Sequence, residues 1–302
     1  REHESRARTA YERCPLKRVS GELDSYRAQL PVFVSARSVS KYLWDDIEIM
    51  GPIKNALTVD VEDYFQVAAL KEAVDSADWP KMEYRVEQNT DKLLELFDSK
   101  SVKATFFVLG WVAERSPDLV RRIQSQGHEI ASHGYSHELV YTQNPSTFRE
   151  ETKKSKQILE EITGAPVTGY RAASYSITAQ SRWALDILCE EGFTWDSSIF
   201  PVHHDRYGMP GTPHSPYILE APNGSTLKEF PLSTCPVGSY RMPIAGGGYF
   251  RLYPYALSRW GLGKINRAGQ PFIFYLHPWE IDPGQPRLKV KAFSRFRHYN
   301  NL

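Results

Sequence analysis

A chain of 302 residues, 41% apolar and 24% charged, is an ordinary globular protein long enough for one large domain with extensions. With 37 basic and 36 acidic residues it is not built to hold a polyanion, so no nucleic-acid partner is expected. Three widely spaced cysteines, Cys14, Cys189 and Cys235, exclude a disulfide framework and a cysteine zinc site, and no apolar run reaches the roughly 18 residues of a membrane span.

The first 50 residues are charge-dense and carry few periodic apolar positions, which predicts a peripheral or non-native extension ahead of one domain over 51–302. No signal-peptide segment is visible near Arg1, so the sequence as given reads as cytoplasmic, or extracytoplasmic where a targeting segment lies outside it. From Asn55 onward strands and helices alternate. A β-rich run over 56–59 ends in the acidic cluster Asp60-Val61-Glu62-Asp63. Val86, Leu93, Leu94 and Phe97 fall at helical spacing over 84–97, and 104–109 is a buried strand closed by Gly110. Ser116-Pro117-Asp118 reads as an N-cap, a proline at the first helical position and an acid in the first turn of a helix stopped by Gly127.

The strand over 129–132 delivers His133 and His137. A helix from Pro145 closes at Gly164, and a strand over 167–170 leads into Arg171. Thr178 opens a helix whose Trp183, Ile187 and Leu188 share a face, and a strand over 193–195 delivers Asp196. The stretch 201–248 is rich in proline and glycine and is expected to be loop, with one strand over 227–232. A helix over 255–265 precedes a strand over 271–276 that ends at His277. Alternating strands and helices with short connections imply right-handed crossovers and a parallel sheet with helices outside. Asp60, His133, Arg171, Asp196 and His277 each follow a predicted strand, where parallel α/β barrels gather their chemistry.

His133 and His137 can meet one ion from neighbouring turns, with Gly134 permitting the bend. A zinc-type catalytic site adds a third His or carboxylate ligand and leaves room for water. The acidic cluster is the source of that ligand. In extended chain Asp60 and Glu62 share a side, which favours Glu62 as ligand and Asp60 as base, with Asp63 as the alternative ligand. His277 is a candidate general acid if Asp196 holds its imidazole protonated, and Arg171 is a candidate charge partner for Asp60. Each of these has a plainer reading, as a solvated acidic loop, a structural histidine or an ordinary ion pair.

Residues 55–280 resemble the polysaccharide deacetylase, or NodB-homology, domain of carbohydrate esterase family four. The resemblance rests on five motifs in order: Thr58 to Asp63, Ser132-His133-Gly134-Tyr135-Ser136-His137, Arg171-Ala172-Ala173-Ser174-Tyr175, Trp195-Asp196-Ser197-Ser198 and Leu276-His277-Pro278. The stretches 60–65, 229–232 and 246–250 resemble bacterial members tied to exopolysaccharide and exosortase gene clusters. The resemblance implies a distorted (β/α) barrel with fewer than eight parallel strands. It also implies a bound divalent metal, zinc first, with cobalt, nickel or manganese as alternatives.

On that resemblance Asp60 is the base, His277 the acid, and Arg171 and Asp196 their supports. His133 and His137 are metal ligands, and the backbone N–H of Tyr175 steadies the oxyanion. The implied activity removes acetyl groups from an N-acetylhexosamine polysaccharide or its precursor during exopolysaccharide biosynthesis. The family's adjacent aspartates are here spread over Asp60, Glu62 and Asp63, which echoes relatives that open small cyclic amides. An amidase of that kind and an inactive carbohydrate-binding module are the alternatives. Similar sequences usually continue beyond Leu302, so an outer helix is expected to follow. Tyr207, Tyr240 and Tyr249 are candidates to stack on sugars.

Overall fold

A computed structural model describes residues 53–203 and 207–302; the expected extension over 1–50 lies outside the described residues. The strands are β1 (Ala56–Val61), β2 (Thr105–Val108), β3 (Glu129–Ser132), β4 (Gly169–Tyr170), β5 (Trp195–Asp196), β6 (Tyr217–Glu220), β7 (Thr226–Glu229), β8 (Thr234–Val237), β9 (Tyr240–Pro243) and β10 (Ile273–Leu276). The helices are α1 (Val86–Ser99), α2 (Gly110–Arg115), α3 (Pro117–Ser125), α4 (Pro145–Thr163), α5 (Trp183–Glu190), α6 (Gly247–Leu252), α7 (Tyr255–Arg267) and α8 (Ala292–Tyr299). Eight strands make one sheet in the order β10-β1-β2-β3-β4-β5-β7-β6. All its pairings are parallel except that of β6 with β7, so the parallel strands number fewer than eight, as expected. The sheet curls without closing, an α/β half-barrel whose free edges are β10 and β6.

Two-residue alternation sorts the core into two layers. Val59, Val61, Phe106, Val108 and Tyr170 point outward into the cluster that packs against the helices. Ala56, Phe107, Ala131, Trp195 and Ile273 point the other way and fill the concave face with Phe200 and Phe230. Thr58 and Asp60 share that inward parity on β1, which is how one strand presents polar groups to the barrel axis while its alternate residues stay in the core.

The helices begin and end for local reasons. α4 starts at Asn144, whose Oδ1 accepts the Thr147 N–H at 2.9 Å. Pro145 takes the first position, and Gly164 ends the helix in the left-handed region at φ 65°. Ser116 precedes α3 with Pro117 at its first position, but its hydroxyl does not cap the helix. It donates instead to Glu87 Oε1 at 2.6 Å and meets the Tyr84 hydroxyl at 2.8 Å, so it ties α3 to α1.

Two expectations are refined. Gly110 follows the end of β2, as expected. It opens α2, and glycine is needed because a Cβ there would lie 2.7 Å from Cδ2 of Tyr135. The stretch 201–248 is loop-rich as expected but holds four strands where one was expected. It holds β6 and β7, the β8–β9 hairpin turned on Gly238-Ser239, and the start of α6. These strands are short and pair with sequence neighbours or with β5, so their burial is only half regular and their periodicity is faint.

Candidate metal centre and active site

Arg171, directly after β4, is fully buried and reaches across the curl to β1. Its Nη1 donates to Asp60 Oδ1 at 2.7 Å and to Thr58 Oγ1 at 2.8 Å. Its Nη2 donates to Ser197 Oγ at 2.9 Å and its Nε to the Ser197 carbonyl at 3.2 Å. The guanidinium carbon lies 3.9 Å from the Phe107 ring centroid. A buried cation without partners would be costly; these acceptors, one of them anionic, offset its desolvation. Arg171 therefore sits where expected, and it fixes one oxygen of Asp60 while leaving Oδ2 turned to the cleft.

Three donors converge beside it. Glu62, His133 and His137 each bring one ligand-type atom to within 4.8 Å of the others. His133 donates its Nδ1–H to the Arg171 carbonyl at 2.8 Å, which leaves the Nε2 lone pair for the cleft. Burial drives its imidazolium down to about 4, so the ring is neutral. Burial alone would raise Glu62, but the histidines around it, His137 first, then His277 and His133, together outweigh that and hold the carboxyl at about 2. His137 Nε2 faces Glu62 Oε2 at 2.7 Å, yet that oxygen accepts no hydrogen bond from any described residue. A ring nitrogen and an orphaned, buried carboxylate oxygen aimed at one point are what a shared cation resolves. His137 (φ 55°) and Gly134 (φ 74°) both take left-handed backbone after β3 to bring this about, which at His137, a residue with a Cβ, is strain.

His277 stands opposite. Its Nε2 lies 3.9 Å from Asp60 Oδ2 and 3.5 Å from Glu62 Oε1, and its Nδ1 lies 3.1 Å from Glu280 Oε2. Burial works against its charge, but Glu280, then Glu62 and Asp60, overcome that and lift the imidazolium to about 9. Its ring stacks on Trp279 at 5.0 Å, and the Trp279 N–H donates to Glu62 Oε1 at 3.2 Å.

Three expected residues stand elsewhere. Asp63 is not at the donor cluster. Its Oδ1 accepts the N–H of Tyr64, and its Oδ2 those of Arg85 and Val86, so it caps the turn that follows β1. Asp196 does not support His277, because β5 and β10 have β1, β2, β3 and β4 between them in the sheet. It accepts from Ser198 at 2.6 Å and pairs with Glu229 across the β5–β7 register; burial raises both carboxyls, Glu229 far above its usual range. The partner of His277 is Glu280, which sequence reasoning missed. Its signal was present, since Pro278 and Glu280 are the first and third residues of a turn that His277 caps. Tyr175 offers no free backbone N–H, for that group is bonded to the Ala172 carbonyl at 3.1 Å. Its φ of 54° turns the phenol inward instead, where the hydroxyl lies 3.5 Å from Asp60 Oδ2.

His277 lines a groove of about 1050 Å³ whose walls also include Tyr207, Tyr240, Tyr249 and Tyr275. The three tyrosines expected to meet sugars thus line one cleft, with Tyr207 and Tyr249 joined through their hydroxyls at 3.1 Å. Among the described residues no helix is long and apolar enough to cross a membrane.

Residues 75–188 match the family described as Polysaccharide deacetylase, and residues 197–302 match a family described only as a domain of unknown function, DUF3473. A peptidoglycan-N-acetylglucosamine deacetylase of Bacillus cereus is 38% identical over 110 residues, which are 36% of this chain and 38% of that protein. The chain therefore spans well under half the length of this curated relative. A candidate polysaccharide deacetylase of Mycobacterium smegmatis superposes with a TM-score of 0.55 at 25% identity, over 81% of each chain. An allantoinase gives 0.52 at 19% identity, over 81% of this chain and 82% of that one, a likeness of fold alone. Residues 75–188 are accordingly similar to polysaccharide deacetylases, and residues 197–302 to a family without an assigned role.

Proposed function

We propose that the protein is a metal-dependent N-deacetylase that releases acetate from an N-acetylhexosamine polysaccharide or its precursor in exopolysaccharide biosynthesis. The observation that carries this reading is the convergence of Glu62, His133 and His137 on one point, flanked by Asp60 on one side and His277 on the other. Two imidazoles and a carboxylate suit zinc, with cobalt, nickel or manganese as alternatives. A bound divalent ion would act as a Lewis acid toward the amide carbonyl and acidify its water. Asp60, with one oxygen tied to Arg171, takes the proton from the attacking water on its free Oδ2. The Tyr175 hydroxyl beside that oxygen orients it. His277, kept protonated by Glu280, gives its Nε2 proton to the leaving amine and frees the amino sugar. Trp279 keeps the ring of His277 in place by stacking, and the tyrosines of the groove receive the sugar faces.

Acetate release from chito-oligosaccharides, with protein stripped by chelator and then reloaded with zinc, tests the reading. Restored release is expected. His133→Ala should lose the metal, whereas His277→Ala should keep it and lose turnover. Full metal content in His133→Ala would refute the ligand set. Turnover of small cyclic amides without release from any N-acetylated glycan would shift the activity to the amidase alternative.

A further inference from the structure

The C-terminal region, 197–302, contains His277 and every group that holds it from behind. Glu280 Oε2 meets both the backbone N–H of His277 (3.0 Å) and its Nδ1 (3.1 Å). The other oxygen, Oε1, accepts from Arg251 Nε at 3.1 Å. Arg251 is itself anchored: Nη1 donates to the carbonyls of His298 at 3.1 Å and Asn300 at 2.5 Å. The Arg251 and Glu280 side chains are 8% and 4% exposed, so this ion pair is not a surface accident. α6 passes so close that a Cβ on Gly247 would stand 1.9 Å from Glu280 Oε2, which leaves room for glycine alone. A carboxylate clamped from three sides presents one oxygen to one ring nitrogen.

We propose that Glu280 is the positioning residue for His277, that Arg251 and Gly247 fix Glu280, and that this is a role of the C-terminal region. The inference rests on the deacetylase reading for its kinetic consequence, though not for its geometry. The rival is that Glu280 merely caps the turn at His277. Glu280→Gln separates the two, because the amide oxygen still accepts the His277 N–H while the charge is gone.

The expected result for Glu280→Gln is a kcat lower by about 10- to 100-fold, the usual loss when a working histidine loses its outer partner. KM should stay within about twofold and zinc content should be unchanged. In a His277→Ala background the same substitution should change the residual rate by less than about twofold, since Glu280 acts through that ring. Gly247→Ala should reproduce the kcat loss by displacing the carboxylate. Nitrogen-15 spectra of histidine-labelled, metal-free protein give a readout independent of turnover. The His277 Nδ1–H resonance should appear at the low field of a carboxylate-bound ring in the unsubstituted chain and move upfield in Glu280→Gln. An unchanged kcat, or an equal fold-loss without His277, overturns the proposal. If no glycan is turned over at all, the deacetylase reading fails, and identical His277 spectra would overturn the positioning role separately.

Discussion

Asp60 divides its carboxylate between two tasks. Oδ1 belongs to Arg171, whereas Oδ2 faces Tyr175 and His277 across the cleft. At 2% exposure Asp60 has little water to fall back on, so the ion pair is a matter of stability as well as chemistry. Breaking a buried pair from one side costs about 3–5 kcal/mol, most of it from the charge left alone, whereas removing both charges costs less. Arg171→Leu should therefore destabilise strongly, and adding Asp60→Asn should return part of the loss although it cannot restore turnover. Urea unfolding of the two variants decides this; a double variant no more stable than Arg171→Leu would show that Thr58 and Ser197, rather than Asp60, carry the energy of the contact.

At the scale of elements, the site depends on how β4 and β5 pack edge to edge. Gly169 on β4 has inward parity, and a Cβ there would stand 1.9 Å from the indole of Trp195, its partner in register on β5. That indole sits edge-on to Phe107 at 5.7 Å and to Phe230 at 5.8 Å, so it has nowhere to retreat. Gly169→Ala should cost about 1–3 kcal/mol, the range for overpacking a filled core, and combining it with Trp195→Phe should recover part of that. A denaturation midpoint within error of the unsubstituted chain would mean that β4 shifts freely and does not hold Arg171 to register.

The N-terminal half of the sheet was readable because its signals are local: alternation on β1 and β2, Pro145 at a helix start, Gly164 at its end. The positions of Asp60, His133, Arg171 and His277 at strand ends followed from that. The partner of His277 did not, since which strand end faces which depends on the sheet order, and Asp196 belongs to a strand remote from β10. The choice between Glu62 and Asp63 likewise turned on whether the chain bends after Val61. Asp63 is drawn off by three backbone N–H groups, and two of their owners, Arg85 and Val86, lie too far along the chain for spacing to reveal.

Over the described residues, stability against pH is a sum over buried and half-buried acids that pull in opposite directions. Glu62 is held near 2, whereas burial pushes Glu129, at the start of β3, up to about 7 against the single hydrogen bond from Thr105. A carboxyl whose folded pKa is raised binds its proton more tightly in the native state. Its contribution is complete below the unfolded value, about 4.3, and is lost as pH climbs through 7. The total curve mixes many such groups, but a difference curve isolates one. Glu129→Gln keeps an oxygen for the Thr105 hydroxyl and removes the titration, and the other acids cancel between the two proteins. The variant should therefore gain on the unsubstituted chain steadily from pH 4.5 to 7 and hold its advantage above that. The ceiling is about 4 kcal/mol, because each tenfold gain in proton affinity is worth about 1.4 kcal/mol. Unfolding free energies at half-unit steps across that window measure it. A difference that is flat with pH would mean that Glu129 reaches water in the native state and that the start of β3 is looser than its hydrogen bonds require.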